Sequence, residues 1–597
     1  MKFNLKTDNY RQFSVYRKNL LKPRSYFIPF NGRKALDKTD ILTERYHSPM
    51  VAVLSGEWKF KYYENCHSLP AELETDDYPF DTVQVPSMWQ YTGYEEPCYT
   101  NTRYPFKVDP PHFPTDCPAA VYVKSFKLAD MGGHYTLTFL GVAGSLDVFV
   151  NGSFVGYSEG SHNTSEFDVT ELLNPGLNEI AVVVHKWSNG TYLEAQDMFR
   201  SNGIFRDVLL TRTEDNSIYD FAVKTQFSRD VQAYKVTILP TLRLADDCVL
   251  TAELFDGEEL VSSRSIEVGK NKMDVTIDFA HIDAKPWSAE APNLYTLYLT
   301  LVQDGKVIEV VRRYVGFRHV EVKDDVFFFN DKRIKLLGVN HHDTTPDKGY
   351  CMTPEEMQRD VELVKQFNGN AVRTSHYPPD PIFLDLCDQY GIYVVDEADI
   401  ETHGTCDGLY RPNLISNDLK WKDHYWDRVY RMFERDKNHA CVTMWSLGNE
   451  AGGIRCQDHC YQQLKKLTEI PIHYEGAVRT KRIGYDVNSM MYPPVQQVAK
   501  IGEHAIGKYR SRPLFLCEYA HAMGVGAGDL EEYVRLFYAH DNLMGGCIWE
   551  FADHAVYHAD GEVKYTYGGD HGETKHDSNF CVDGLFAPDR TPHPGAW

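Results

Sequence analysis

The hydrophobic period of this chain changes once, just after V-G-F-R-H-V-E-V at residues 315–322, and that switch bounds what it can fold into. Before it, short β-rich runs are broken by Gly, Pro, Asn and Asp: A-A-V-Y-V-K-S-F-K-L, H-Y-T-L-T-F-L-G-V, S-L-D-V-F-V-N-G-S-F-V-G and N-E-I-A-V-V-V-H-K-W. The V-N-G-S-F-V piece carries an Asn-Gly hairpin signal. Residues 1–215 are therefore expected to form an antiparallel β-sandwich. Residues 216–318 keep the same grammar in A-Y-K-V-T-I-L-P-T-L, C-V-L-T-A-E-L-F and L-Y-T-L-Y-L-T-L-V, spaced as in a small immunoglobulin-like sandwich. That stretch holds no cluster of reactive residues and is expected to be a spacer. Over residues 319–597, strand-like runs alternate with helical ones. I-K-L-L-G-V, N-A-V-R-T-S, I-Y-V-V-D-E-A, V-T-M-W-S-L, I-H-Y-E-G, N-S-M-M-Y, L-F-L-C-E and G-G-C-I-W-E supply eight strand candidates. Thr353 and Glu356 make a capping box with Pro354 at the first helical position. Eight strands alternating with helices predict a multidomain β and α/β chain ending in a (β/α)8 barrel. The sequence shows no internal repeat and no low-complexity tract.

In such a barrel, reactive side chains gather at the carboxyl ends of the strands. Here the unusual residues do follow their strands: His342, His376, Glu401 with His403, Glu450, Tyr492, Glu518 with His521, and Trp549. Glu450 in V-T-M-W-S-L-G-N-E and Glu518 in P-L-F-L-C-E-Y-A-H each close an apolar run. Taken alone, each is equally well read as a strand-end acid in a surface ion pair. As a pair they fit glycoside hydrolysis, in which one carboxyl protonates the leaving oxygen and the other acts as nucleophile or base.

Composition narrows the partners. The formal net charge of −23 repels a phosphate backbone, so nucleic acid is not expected. The start, M-K-F-N-L-K-T-D-N-Y-R-Q-F, has no apolar stretch of signal-peptide length, and no segment approaches the roughly 18 apolar residues of a membrane span. A cytoplasmic protein with no membrane partner is expected. The 13 cysteines are scattered, many in apolar strands such as Cys517 and Cys547, as reduced core thiols are. Cys456 and Cys460 in R-C-Q-D-H-C share a helical face, but no second ligand pair with zinc spacing follows them.

Longer motifs carry a resemblance. The segment from Asn370 to Glu397, with W-S-L-G-N-E and L-C-E-Y-A-H-A-M-G, closely resembles glycoside hydrolase family 2. The finer likeness is to its long β-galactosidases, and it runs from W-Q-Y-T-G-Y-E-E-P-C-Y-T-N to D-R-T-P-H-P. The resemblance implies a jelly-roll-like, sugar-binding-like N-terminal sandwich, an immunoglobulin-like sandwich and a TIM barrel. It implies a retaining β-galactosidase acting on terminal β-D-galactosides such as lactose, with transfer of galactose to other sugars. Glu450 would be the acid/base, Glu518 the nucleophile, and Tyr492 a hydrogen-bond partner of Glu518. Glu401, His403 and Glu450 would hold magnesium or manganese, a donor set suited to a hard divalent cation. Asn101, Asp197, His342, His376, Asn449, His521 and Trp549 would contact the sugar. Sodium is expected on Asp197, the carbonyl of Phe580 and Asp583, where the family commonly has asparagine in place of Asp583.

Two other readings compete. A β-glucuronidase of the same family needs contacts to a sugar carboxylate, commonly an Asn-x-Lys element that is not found near the end of the barrel. A non-catalytic galactoside-binding protein would not need both glutamates, the tyrosine and the metal trio. The chain stops at Trp597, where long β-galactosidases continue into further sandwiches. The expectation is a large subunit of a two-chain enzyme or a truncated chain, oligomeric and short of a small partner that supplies those domains.

Overall fold

The computed structural model describes all residues except 41, 130–131, 271, 273–274, 407–413, 480–483, 525 and 597. Its N-terminal part is a β-sandwich. One sheet has seven strands in the order Arg17–Lys18, Ser153–Ser158, Ser145–Val150, Gly176–His185, Ala119–Leu128, Gly56–Tyr63 and Asp81–Val85. The facing sheet has four: Ser165–Asp168, His134–Phe139, Val208–Thr213 and Val51–Val53. Alternate residues of both sheets, among them Trp58, Phe60, Leu137, Phe139, Val148 and Val182, meet in one apolar core. The Asn-Gly signal is a two-residue hairpin: Asn151 and Gly152 both have positive φ, 50° and 85°, the twist that joins right-handed strands. A second sandwich follows, with three strands (Ser217–Ser228, Ala233–Arg243, Ile277–Ile282) over four (Glu259–Val268, Cys248–Asp256, Tyr295–Gln303, Lys306–Val315).

The rest is the barrel. Its strands are β1 (Leu336–His341), β2 (Ala371–Thr374), β3 (Tyr393–Glu397), β4 (Val442–Ser446), β5 (Ile472–His473), β6 (Asn488–Met491), β7 (Leu514–Tyr519) and β8 (Leu543–Ile548). All eight fall where the alternating period places them. They pair in parallel in the order β5-β4-β3-β2-β1-β8-β7-β6, so the β1–β8 ladder joins the two ends of the chain order. Helices α1 (Pro354–Gln366), α2 (Pro381–Tyr390), α3 (Lys422–Asp436), α4 (Arg455–Leu464), α5 (Val495–Gly502) and α6 (Leu530–Ala539) surround them. The capping box forms at α1: Thr353 Oγ1 accepts from the Glu356 amide at 3.3 Å, and Glu356 Oε2 accepts from the Thr353 amide at 2.8 Å. Gly391 ends α2 with a φ of 75°, and a Cβ there would lie 2.5 Å from the Ala289 carbonyl. Helix α5 lies in a stretch that the sequence reading passed over.

The α3 helix is unusual. His424, Asp427, Arg428, Arg431, Arg435 and Asp436 on it are all buried: His424, Arg428 and Arg431 reach the N-terminal part, while Arg435 and Asp436 pair with each other beside Asp396 of β3. Arg431 donates to the carbonyls of Glu159 at 2.8 Å and Thr164 at 2.9 Å, while Arg428 pairs with Glu194 at 2.7 Å. All 13 cysteines are free, and Cys456 and Cys460 are both buried on one face of α4. Among the described residues neither cysteine joins a cluster with metal-ligand spacing, and no helix is long and apolar enough to cross a membrane.

Candidate active site

Strand β7 carries Glu518 into the mouth of the barrel, 4% exposed. Its Oε1 accepts from Arg373 Nη1 at 2.9 Å and its Oε2 from the Tyr492 hydroxyl at 2.6 Å. Arg373 is wholly buried on β2 and divides its guanidinium among five partners: Glu397 (2.8 and 2.9 Å), Glu518, Asn340 (3.1 Å), Asn449 (2.9 Å) and the Cys517 carbonyl (3.4 Å). Burial opposes ionisation of Glu397, but Arg373, then His376 and Ser446, hold its carboxyl down at about 2. Tyr492 is 42% exposed as a residue, so it is not a core tyrosine. Desolvation of its hydroxyl, and then the Glu518 charge, push the phenol well above its ordinary pKa and keep it a neutral donor.

Glu450 follows β4 and is more open, its side chain 24% exposed. Its Oε2 lies 2.9 Å from His403 Nδ1, which is itself 3.8 Å from Glu401 Oε1. Glu401 is fully buried. Its Oε2 accepts from Asn449 Nδ2 at 3.0 Å, and its Oε1 has no hydrogen-bond partner. Burial, and then the charge of Glu450, push the Glu401 carboxyl well above the usual range. Two carboxylates and one imidazole converge here with their donor atoms within 4.8 Å. A divalent cation fits that set, since it would offset the repulsion and engage the orphaned oxygen. The backbone of Glu401 is pinned from outside the barrel: its amide donates to the Leu193 carbonyl at 2.7 Å, and its carbonyl accepts from the Ala195 amide at 3.1 Å.

The remaining expected residues also gather at this mouth. His376 is 1% exposed. Its Nδ1 lies 2.6 Å from Glu397 and its Nε2 3.1 Å from the Asn449 carboxamide, and its ring stacks on the Trp549 indole at 5.1 Å. Asn449 is thus held by Arg373 on one side and by His376 and Glu401 on the other. Trp549 is 3% exposed and donates its indole N–H to Asp583 Oδ2 at 2.8 Å. His342 lies edge-on to both His376 and Trp549, at 5.6 Å from each ring. His521 sits 3.6 Å from Asp583 Oδ2, between Tyr492 and the 38% exposed ring of Phe580. A two-stranded ribbon of the N-terminal part, Tyr99–Thr100 with Met198–Phe199, delivers two more. Asn101 follows its first strand, with Oδ1 buried and unpartnered, and Asp197 precedes its second, accepting from the Tyr99 hydroxyl. Burial, and then the charge of Asp583, raise the Asp197 pKa; burial, and then Glu550, raise that of Asp583. Such a pair of desolvated, mutually repelling carboxyls suits a small cation.

Sequence reading missed Arg373, Glu397, Asn340, Glu550 and His554, which build the walls of this site. The signal for the first was visible: an arginine inside the apolar run N-A-V-R-T-S must be buried with partners. Glu397, at the end of I-Y-V-V-D-E, is the acid that neutralises it.

Comparison with known proteins bears on the whole chain. Family models for glycosyl hydrolases family 2 match the sugar binding domain over residues 51–214, a middle segment over 216–318, and the TIM barrel domain over 320–597. A beta-galactosidase of Staphylococcus xylosus is 38% identical over 99% of this chain and 59% of its own length. One of Pectobacterium atrosepticum is 39% identical over 91% of this chain and 54% of its own. The chain thus spans a little over half the length of these relatives. Among solved structures, a beta-D-glucuronidase of Dictyoglomus thermophilum superposes with a TM-score of 0.69 at 20% identity, covering 92% of this chain and 95% of that one. A glucuronidase of Ruminococcus gnavus gives 0.71, also at 20% identity, over 92% and 96%. At that identity the likeness concerns the fold.

Proposed function

The chain belongs to glycosyl hydrolase family 2, and from that premise we propose that it hydrolyses terminal β-D-galactosides, lactose among them, with retention of configuration. The observation that carries the reading is the contrast between its two strand-end glutamates. Glu518 is clamped by Arg373 and Tyr492, which hold its two oxygens and aim it, as a nucleophile must be aimed. Glu450 stands beside His403 and close to Glu401 with its side chain 24% exposed, where an acid can meet both the glycosidic oxygen and water. Glu450 gives its proton to the glycosidic oxygen while Glu518 bonds to the anomeric carbon and the aglycone departs. Glu450 then takes a proton from water, or from a sugar hydroxyl, as that oxygen displaces Glu518. The second acceptor is the route to transgalactosylation.

Galactose is favoured over glucuronate by the relatives at 38–39% identity, whose name is beta-galactosidase. It is favoured also by the side chains at the mouth, where Asp197, Glu550 and Asp583 offer a sugar carboxylate no cationic partner. Magnesium or manganese would be held by Glu401, His403 and Glu450, and sodium near Asp197 and Asp583. When bound, the divalent ion supplies positive charge that tunes and orients Glu450.

Two experiments test this. On a panel of nitrophenyl sugars the full chain should prefer the β-galactoside, and NMR should show the β-anomer as first product. Preference for the glucuronide, or the α-anomer appearing first, rejects the reading. Chelation should lower turnover and added Mg2+ should restore it; indifference to a strong chelator rejects the divalent ion.

A further inference from the structure

Among the described residues three groups of potential metal ligands lie outside the Glu401 trio. Two are already satisfied. Asp388, His439 and Cys441 form a closed network, in which Asp388 accepts from Arg313 at 3.1 Å, pairs with His439 at 2.8 Å and accepts from the Cys441 amide at 2.7 Å. His319, Glu321 and Asp331 lie at the surface, where Arg229 already supplies the positive charge. The third group, His342, Glu550 and His554, differs from both. All three are at least 97% buried, and His342 Nε2, Glu550 Oε2 and His554 Nε2 have no hydrogen-bond partner. Those orphaned atoms are the ones that face each other: Glu550 Oε2 lies 3.3 Å from His554 Nε2 and 3.8 Å from His342 Nε2.

We propose that His342, Glu550 and His554 form a second, separate metal site, built for zinc or a similar late first-row divalent ion. Three lines of argument support it. First, leaving three buried polar atoms unsatisfied costs about 1–3 kcal/mol each, and native interiors rarely tolerate such a cluster without a reason. Second, an ion holding donors at about 2.0–2.1 Å in a tetrahedron sets them about 3.3 Å apart. The Glu550–His554 pair already has that spacing, and His342 is a small adjustment away. Third, the charge around the site calls for a cation. The Glu550 amide donates to the Asp583 carbonyl at 3.0 Å, which keeps these two acids together, and among the described residues no lysine or arginine forms an ion pair with either of them or with Asp197.

Two imidazoles and one carboxylate are borderline donors that suit zinc better than magnesium or sodium. The imidazole of His342 is oriented from behind, its Nδ1 3.3 Å from the Tyr377 hydroxyl. With Nδ1–H donating to that oxygen, Nε2 presents its lone pair to the site. His342 follows β1, and Glu550 and His554 follow β8. An ion there would staple the first strand of the barrel to the last, directly behind the Trp549 indole. The proposal does not depend on which sugar is cleaved, but it gives His342 Nε2 to the ion in place of the sugar contact expected of His342.

The test is to strip the full chain of metal and reload it with Co2+ while saturating Mg2+ occupies the Glu401 trio. One equivalent of Co2+ should bind with visible ligand-field bands, and X-ray absorption should count two imidazoles on it. One imidazole would place the ion on His403, and none would place it elsewhere; either overturns the site. Glu550→Gln and His554→Gln should each lose the bands, whereas His403→Ala should keep them. A folded Glu550→Gln or His554→Gln protein that keeps them in full overturns the site too. The imidazole count on the unaltered chain decides the matter if both variants fail to fold. Zinc should also raise the thermal midpoint of the stripped chain in a concentration-dependent way.

Discussion

Glu450 and Glu518 end similar strands, yet their surroundings differ as the two proposed roles require. Glu518 receives an arginine and a phenol, both donors to its oxygens. Glu450 meets an imidazole and a neighbouring carboxylate, and is far more open to solvent. The difference can be read out by leaving group. A nitrophenolate departs with little help, whereas the glucose of lactose needs a proton. Glu450→Gln should therefore lose roughly 10²–10⁴-fold in kcat/KM on lactose, the usual worth of general acid catalysis, and much less on nitrophenyl galactoside. Glu518→Gln should lose both. Equal losses on the two substrates for Glu450→Gln would remove it from the acid role. Much of this pair was legible from sequence, because an acid closing an apolar strand leaves a local mark. Arg373 and Glu397 were harder to find, since each makes sense only through a partner on another strand.

Strands were the easiest elements to read, because eight apolar runs separated by helical periods leave little freedom, and the capping box at Thr353 marked α1 outright. Helix α3 was harder. Its charged face has the pattern of a solvated surface, yet it is buried by a domain hundreds of residues earlier in the chain, and a local period cannot report such a contact. Strand Lys306–Val315 hides a second case. Glu309 is 1% exposed between the sheets, with only the Ile218 amide donating to its Oε2 at 3.3 Å and its Oε1 unpartnered. Burial pushes its carboxyl up to about 8, although Arg24 and Arg243 pull the other way. Because the folded pKa is raised above the ordinary 4.5, the native state binds the extra proton. The stability contributed by the neutral form is full below about pH 4.5 and is lost as pH rises towards 8. Glu309→Gln keeps the acceptor for Ile218 and cannot ionise. Hydrogen exchange of the Ile218 amide should match between the two proteins near pH 5, and the variant should be better protected near pH 9, by an amount on the order of a few kcal/mol. Equal protection at both pH values would mean that Glu309 finds a charge partner in solution.

At the scale of the whole molecule, the N-terminal sandwich completes the site. It supplies Asn101 and Asp197 from one ribbon, and residues 193–195 hold the backbone of Glu401 on both sides. The joint is fastened by Arg428 of α3, which pairs with Glu194 at 2.7 Å and donates to the Asp399 carbonyl at 2.8 Å, two residues before Glu401. Arg428 is 3% exposed and Asp399 is fully buried, so removing the guanidinium leaves Asp399 without its arginine where water cannot reach it. Breaking a buried pair from one side typically costs about 3–5 kcal/mol. Arg428→Met should therefore lower the thermal midpoint. Because the same joint positions Glu401, it should also raise the Mg2+ concentration needed for half-maximal turnover, by about tenfold if the displacement costs about 1.4 kcal/mol at the ion. Arg428→Lys, which keeps the charge but not the fork, should recover part of both losses. A variant that melts earlier but needs no more Mg2+ would show that the sandwich merely braces the barrel and leaves the placing of Glu401, His403 and Glu450 to the barrel alone.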